Sequence, residues 1–585
     1  MTKLAIHSFR GEVPRTASRL LQNEQASQAV NCRLESGDLM AWREPGEVAT
    51  LPGRAKTMYL AGGVRWLWWD RDVDVVTGTR ADDMSHTLYF TGLDAPRITD
   101  ASMYALDGDW TERSFKLGVP APERAPRVKV SGGDGDTFAI SYVVTHVTAR
   151  GEEGPPSPAS DVLDVRSGSL VTVSGFSEVP ADRNITARRV YRAVAASSGT
   201  SVWLLAGEIA VGVASWGDTM DGRVLGTELS TDTFYPPPEG LRGLTVLGNK
   251  TYAGFDGYHV WLSEPLYPHA WPPEYTITLD APVVGLGVIG STLVAATKDR
   301  PYLITGSHPA SMSVSHLPER QACVSKNGLV GAGVGVVFPT PDGLYLAGPS
   351  GGSLVTESLF TRDDWQALTP QSMRAAVHDG RYIVFFERTP KSIRAAQRQT
   401  GDTFHSLGRI NARPLNRFRV AADDFVGFHL VNSTLPSGLI LDMRNADPVL
   451  TAYDDTASAV FTDAVSDRLY YARPSEDGAT TTIHLFEGSS ERLQYTWRSK
   501  TFLFSARVTF GAARIDYETE VESSDESLTF TLFVDGQSRY VRTLEHSCVF
   551  RLPGGYAGRE WAVELAGNVR IRSVELASTV VELTT

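Results

Sequence analysis

The feature that most narrows the fold of this chain is a recurrence. The segments GNKTYAGFDGYHVWLSE, GSTLVAATKDRPYLITG, VGVVFPTPDGLYLAGP, DGRYIVFFE and SDRLYYARP share one layout: a turn, an apolar strand and, in most, a second turn and strand. Aligned on Tyr252, Val294, Val337, Ile383 and Tyr470, they lie 42, 43, 46 and then 87 residues apart, the last being two periods. The skipped unit is expected near Val426 and Phe428, where FVGFHLV reads as a strand. A period of about 40–50 residues with several strands in each is the spacing of a propeller blade. No WD or kelch signature accompanies it, and a β-sandwich with accidental repeats is the alternative. Either way the expected class is all-β. The 53 Gly and 32 Pro supply turns between short runs of aromatic and β-branched residues.

Helix signals are scarce. Residues 16–30 are expected to wind into a short helix around Leu20, Leu21 and Gln25 to Ala29. Residues 360–377 are expected to hold a second, with Thr361 capping a first turn that contains Asp363 and Asp364.

Two stretches break the period. Residues 124–233 lie between VPAPERAP and Pro236, Pro237 and Pro238, edges that behave as stiff linkers. Inside, TFAISYVVTHVTARGEEGPPSPAS resembles the strands of a fibronectin type III module flanking a polar turn, with Tyr142, Val144 and Val147 on strands. The segment Ile185 to Val194 is similar to the strand that bears that module's usual tyrosine, here Tyr191. The second stretch, residues 491–585, holds LTFTLFVDGQSRYVRTL, a hairpin turning at Asp535-Gly536, and further alternating strands. It reads as a small β-sandwich. The expected organisation is an N-terminal arm (1–45), first platform strands (46–120), a fibronectin III-like insert (121–238), the remaining propeller blades (239–490) and the C-terminal sandwich (491–585).

Composition excludes several function classes. A net charge of −13 argues against tight phosphate binding, which needs clustered Lys and Arg; it suits a weakly repulsive wall past which DNA slides. The three cysteines, Cys32, Cys323 and Cys548, are far apart, so neither a disulfide framework nor a structural zinc site is expected. Sparse thiols suit a reducing cytoplasm. The opening MTKLAIHSFRGEVPR lacks an apolar signal-peptide core, and no run of 18 apolar residues exists to span a membrane.

Several motifs match a chemistry but lack its context. Gly285, Gly287 and Gly290 in GLGVIG match a dinucleotide fingerprint, yet STLVAATKD, a strand and a turn, follows instead of a helix. Ser350 between Gly348 and Gly352 matches a nucleophile elbow, but lies between two expected strands, as a hairpin turn does. SSDESLTF, Ser523 to Phe530, is similar to a sialidase Asp-box without its Gly and Trp. His378-Asp379 invites a dyad, but neighbours on a strand point to opposite faces. Asp134 and Asp136 lack the remainder of a calcium loop. No catalytic, cofactor-binding or metal-binding residue is therefore assigned, and no enzyme activity is expected.

The N-terminus carries the most informative likeness. FRGEVPRTASRLLQNEQASQAVNCRLESGDLMAWREP resembles the opening of tail nozzle proteins of short-tailed bacteriophages, also called tail tubular protein B. The pattern is a Gly and a Pro-Arg, then a Leu pair, then an Ala-rich stretch ending in Asn, then a turn with Gly. Here these are Gly11, Pro14, Arg15, Leu20, Leu21, Ala26, Ala29, Asn31 and Gly37. WLSEPLYPHAWP, Trp261 to Pro272, and FRLPGGYAGREWAVELAG are similar to further family segments. The chain is shorter than the best-known members, and the fibronectin-like insert is not universal among them. The resemblance implies a virion protein made in the host cytoplasm, a homohexameric ring below an adaptor ring, possible contact with tail fibres being one partner role, and a tip that retains DNA and opens on infection. The implied mechanism is steric and electrostatic. Two other readings stand beside it: a receptor-binding or fibre-attachment module, and a propeller glycosidase using dispersed carboxylates.

Overall fold

The computed structural model describes residues 3–80, 83–106, 113–195, 201–219, 225–387, 437–444, 447–518 and 526–584. The fold is all-β: among the described residues strand accounts for 49% and helix for 6%. The described helices are single short turns such as Arg362–Ala367. The strand expected at Val426 and Phe428 lies outside the described residues.

Among the described residues, seven small sheets follow one another along the chain, interrupted by the insert. The first is the hairpin Thr57–Ala61 with Arg65–Trp69. Four-stranded antiparallel sheets then span 74–116, 242–278, 283–316 and 330–354, each in simple chain order. The sixth runs through Arg374–His378, Arg381–Phe385, Gly438–Asp442 and Val449–Tyr453. The seventh holds Ala459–Asp463, Arg468–Pro474 and Thr480–Leu485, and takes its fourth strand, Gly46–Pro52, from the start of the chain.

Each sheet packs face to face on the next. Tyr89 meets Tyr252 between the second and third sheets, Phe255 and Leu262 meet Leu293 and Ile304 between the third and fourth, and Ile383 and Phe385 meet Leu469 and Tyr471 between the sixth and seventh. Tyr59 and Trp66 of the first sheet meet Phe461 of the seventh edge to face, so the packing returns to its beginning. Among the described residues no sheet closes on itself; the cycle is held by faces. Between the fourth and fifth sheets the approach is so close that a Cβ on Gly287 would lie 2.6 Å from Val336, and one on Gly285 would lie 3.1 Å from Leu329. These glycines of GLGVIG thus serve packing within the strand Val283–Ile289.

The described part of segment 1–45, expected as an arm, is built into the core sheets. Lys3–Ile6 pairs with Arg570–Ala577, and Ala26–Val30 lies between Val449–Tyr453 and Tyr495–Ser499. The second insertion makes the sixth sheet continuous with one layer of the C-terminal sandwich. The other layer is Lys3–Ile6, Arg570–Ala577, Ala512–Glu518 and Cys548–Arg551. Between them Phe9 meets Trp497 edge to face at 4.9 Å, and the Trp497 Nε1–H donates to the Arg10 carbonyl at 3.1 Å.

The helix expected over residues 16–30 is corrected accordingly. Only Ser18–Leu20 forms a 3-10 turn, and Ala26–Val30 is a strand. Burial of Ala26 and Ala29 against the sandwich overrides alanine's helix preference. Over residues 360–377 the helix is Arg362–Ala367, and Thr361 caps it with Asp364 in a capping box. It ends where Thr369, at φ 53°, precedes Pro370.

The insert, residues 121–238, builds two three-stranded sheets and a two-stranded pair around Ile140, Tyr142, Val144, Val171, Val173 and Val190. It enters between the second and third sheets.

Filling the tightest contact of the cycle tests this packing. Gly287→Val is expected to lower unfolding free energy by about 1–3 kcal/mol, read as a shifted urea midpoint with an unchanged slope. An unchanged midpoint would contradict the close approach of the fourth and fifth sheets.

Candidate functional site

Three polar constellations occupy positions where an all-β protein of this kind places function. The first lies on the axis of the cycle. A cavity of about 260 Å³ is lined from all seven sheets or the turns that lead into them, including Thr57, Asp74, Leu244, Leu286, Lys326, Arg374 and Val460. Lys326 Nζ reaches across it to Asp72 at 2.8 Å and Asp74 at 2.7 Å. Asp74 also accepts from the Gly243 N–H at 2.8 Å. Burial alone would depress the Lys326 ammonium, and the two carboxylates more than offset it, so its pKa is raised. The lysine stays charged and braces the second sheet against the turn before the fifth.

The second is a cleft of about 750 Å³ where residues 8–10 and 32–37 meet the sixth sheet. Trp42 carries Arg33 at 5.3 Å and Arg381 at 5.2 Å from its ring centroid. Glu35 binds Arg33, Arg381 and, at 3.0 Å, Arg444. Asp379 accepts from Arg381 at 2.6 Å, and Asp442 from Arg444 at 2.9 Å. Burial, with Arg444 adding repulsion, pushes the Arg381 guanidinium down to about 10, so it remains a cation near neutrality. These three carboxylates each have a cationic partner.

The third is the seam between insert and platform. Arg150 pairs with Asp100, and Arg183 donates to the carbonyls of Leu117 and Gly118 at 2.5 and 3.2 Å. His146 Nδ1 lies 3.2 Å from the Pro120 carbonyl, and His269 Nδ1 lies 4.0 Å from Glu152. Glu153 accepts from Tyr191 at 2.8 Å and from Thr145 and Arg189 at 2.5 Å each. Tyr191, singled out in the sequence, thus anchors the buried carboxylate at the base of the insert.

The motifs weighed in the sequence are dispersed. Ser350 sits in the turn between Leu344–Gly348 and Gly351–Leu354. His378 ends a strand and packs on Phe486, while Asp379, at φ 47°, turns to Arg381. The Asp134 N–H and the Asp136 carbonyl hydrogen-bond across a loop to Ser167. Among the described residues no His, Cys, Asp and Glu gather as a metal site does, and no helix is long and apolar enough to cross a membrane. Part of SSDESLTF lies outside the described residues. Cys32 and Cys323 are buried thiols and Cys548 is half-buried.

Sequence reasoning missed Glu12. Burial pushes its carboxyl up to about 7 against a hydrogen bond from the Ala29 N–H. It belongs to the N-terminal crossing and lines neither cavity.

No family model and no curated protein matches the chain. Solved structures with weak likeness include PorZ, a surface component of the type-IX secretion system of Porphyromonas gingivalis, at 12% identity and TM-score 0.21 over 64% of this chain. The extracellular domain of a hybrid two-component system of B. thetaiotaomicron gives 6% identity and TM-score 0.23 over 94%. The chain spans 44% and 63% of those two proteins. An exo-β-1,3-galactanase of Phanerochaete chrysosporium gives 10% identity and TM-score 0.17, over 74% of this chain and all of that one. Scores this low carry no functional argument. The fold and sites define an all-β protein of packed small sheets, braced by ion pairs.

The seam predicts an acid-sensitive insert. Burial lowers both His146 and His269 from 6.5 to about 4. The unfolded chain takes up these protons near 6.5 and the folded chain resists them. Stability is therefore full above pH 6.5 and declines as the pH falls towards 4, by up to a few kcal/mol for each ring. Glu152, pushed up by burial with Arg150 opposing, offsets part of the loss at the acid end. The melting temperature is expected to fall across this window, and to fall less in a His146→Gln/His269→Gln variant. A flat profile would contradict the seam.

Proposed function

We propose that this chain is a structural subunit of a bacteriophage tail, of the nozzle type, which assembles into a ring and guides DNA by shape and charge without catalysis. The observation that carries this reading is the work done by the N-terminal pattern. Gly11 leaves no room for a side chain, since a Cβ there would lie 2.1 Å from the Leu450 carbonyl oxygen. The Arg15 N–H donates to Leu359 at 2.8 Å, and its guanidinium to Glu357. Asn31, at φ 56°, donates to the Gln494 carbonyl and accepts from the Asp454 N–H, at 3.1 and 2.9 Å. Gly37, at φ 86°, accepts at its carbonyl from the Phe9 N–H. Gly11, Arg15 and Asn31, three of the residues that carry the resemblance, thus tie the turn after the fifth sheet and the sixth sheet to the N-terminal segment and the sandwich, which supports a shared architecture.

The seven packed sheets fit a propeller platform. Its axial cavity, about 260 Å³ and crossed by Lys326, is smaller than pockets that hold a drug-sized ligand. A DNA passage therefore belongs between copies, around a rotation axis with a repeated heterologous interface. The net charge of −13 suits an unsticky wall. An adaptor ring above and tail fibres at the rim are the partners that follow, with the virion tail as location.

The test is mass photometry with negative-stain imaging of the purified protein. A closed multimer with a central opening is expected, and no fragments released from host surface polysaccharide. A monomer that cleaves polysaccharide, with cleavage abolished by mutating one carboxylate pair, would overturn the reading in favour of a glycosidase.

A further inference from the structure

One end of the C-terminal sandwich gathers cations that the fold does not use. Arg539 lies on the edge strand Gln537–Leu544, just past the turn Asp535-Gly536. Arg559 lies on Gly558–Gly567 and Arg507 on Phe502–Val508, beside the pairing of Gly558 with Val508. Arg551 ends the strand Cys548–Arg551 of the other layer, opposite Ala512. All four are exposed, and among the described residues none makes an ion pair. The carboxylates near them are mostly engaged. Asp535 accepts from the backbone N–H groups of Glu560 and Arg559 at 3.0 and 2.9 Å, which hold it below the usual carboxylate range, and Arg507 and Arg539 add to the effect. Glu582 accepts from the Thr579 hydroxyl at 3.0 Å, and Glu575 pairs with Lys3 at 3.0 Å. Glu560 is the exposed carboxylate not so engaged.

The sheet sets the spacing of these groups. Leu528–Val534 lies between the strands of Arg539 and Arg559, and the strand of Arg507 comes next beyond that of Arg559. At about 4.8 Å per strand, the three stand in a row about 14 Å long. The turn from Arg551 to Arg559 contains Gly554 and Gly555, where a Cβ would meet nothing within 4 Å. Bare backbone is therefore open beside the arginines. Neither the cleft nor the axial cavity is lined from this end, so the arginines belong to an open surface.

We propose that this arginine end binds the phosphate backbone of DNA without regard to base sequence; this rests on the DNA-guiding role above. A guanidinium presents paired N–H donors that match phosphate oxygens, and it stays charged throughout the physiological range. The open, extended row suits a polymer. Duplex DNA carries one charge per about 1.7 Å of its axis, so a row of about 14 Å meets several phosphates, whereas a free phosphate spans only part of it. The net charge of −13 keeps most of the remaining surface repulsive to DNA. Contact is thereby confined to this end and stays weak enough to release.

Fluorescence anisotropy of a labelled duplex, titrated with the full chain, tests the contact. Binding is expected at about 0.05 M salt, with log Kd rising against log salt at a slope of about 2 to 4, as two to four phosphate contacts give at about 0.9 each. Arg507→Ala/Arg539→Ala/Arg559→Ala, its circular dichroism unchanged, is expected to weaken binding about tenfold or more and to lower the slope. Arg507→Lys/Arg539→Lys/Arg559→Lys keeps the charge and is expected to keep most of the binding. Arg54→Ala/Arg166→Ala/Lys250→Ala removes the same charge from exposed positions elsewhere and is expected to bind as the wild type does. Equal loss in both alanine variants, or no loss in the first, would overturn the contact. A wild type that ignores the duplex but binds phosphatidylglycerol vesicles through the same arginines would overturn it in favour of a lipid surface. Imaging separates this contact from the ring reading. A ring that binds no duplex sinks the contact alone, a monomer that binds duplex through these arginines sinks the ring alone, and a monomer that binds none sinks both.

Discussion

Sheets packed in a cycle need the last to meet the first, and here one strand from the beginning of the chain makes that meeting. Gly46–Pro52 pairs with Thr480–Leu485, and the Thr481 hydroxyl accepts from the Ala55 N–H, 426 residues away in sequence. Bringing such distant segments together costs about 5 kcal/mol in loop closure. The ladder offsets this with main-chain pairs worth about 0.5–1.5 kcal/mol each, and Leu51, Met58, Tyr470 and Ile483 are buried around it. A few residues earlier, Ala26–Val30 joins the sixth sheet to the sandwich. The segment from 26 to 52 therefore holds two parts of the protein together at once.

Charge is used in the same way. Lys326 spans the axis, Glu35 gathers three arginines beside Trp42, and Glu153 fixes the base of the insert. Half-buried pairs of this sort add modest stability, but removing one member leaves a charge without its partner. Each of these carboxylates has a cationic partner within the fold. The seam is an exception in one respect: its histidines are held neutral, so it answers to acid.

Much of the fold was legible because its signal is local. The spacing of Tyr252, Val294 and Val337 marks successive sheets, the glycines of GLGVIG sit where two sheets come closest, and Thr361 caps the helix it was expected to cap. The N-terminal strand was not legible. ASQAV has little β propensity and is recruited by burial against Trp497, a partner some 470 residues away. The seam was hidden for the same reason: His269 meets Glu152, and His146 the Pro120 carbonyl, only in the folded protein.

Hydrogen exchange followed by mass spectrometry tests the central claim most directly, that the N-terminal strands close the cycle and bind the sandwich to it. The account predicts that amides of residues 26–30 and 46–52 exchange as slowly as those of Arg381–Phe385 and Gly558–Gly567, and are released together with them when denaturant is added. Fast exchange of residues 26–52 in a protein whose remaining strands stay protected would contradict it.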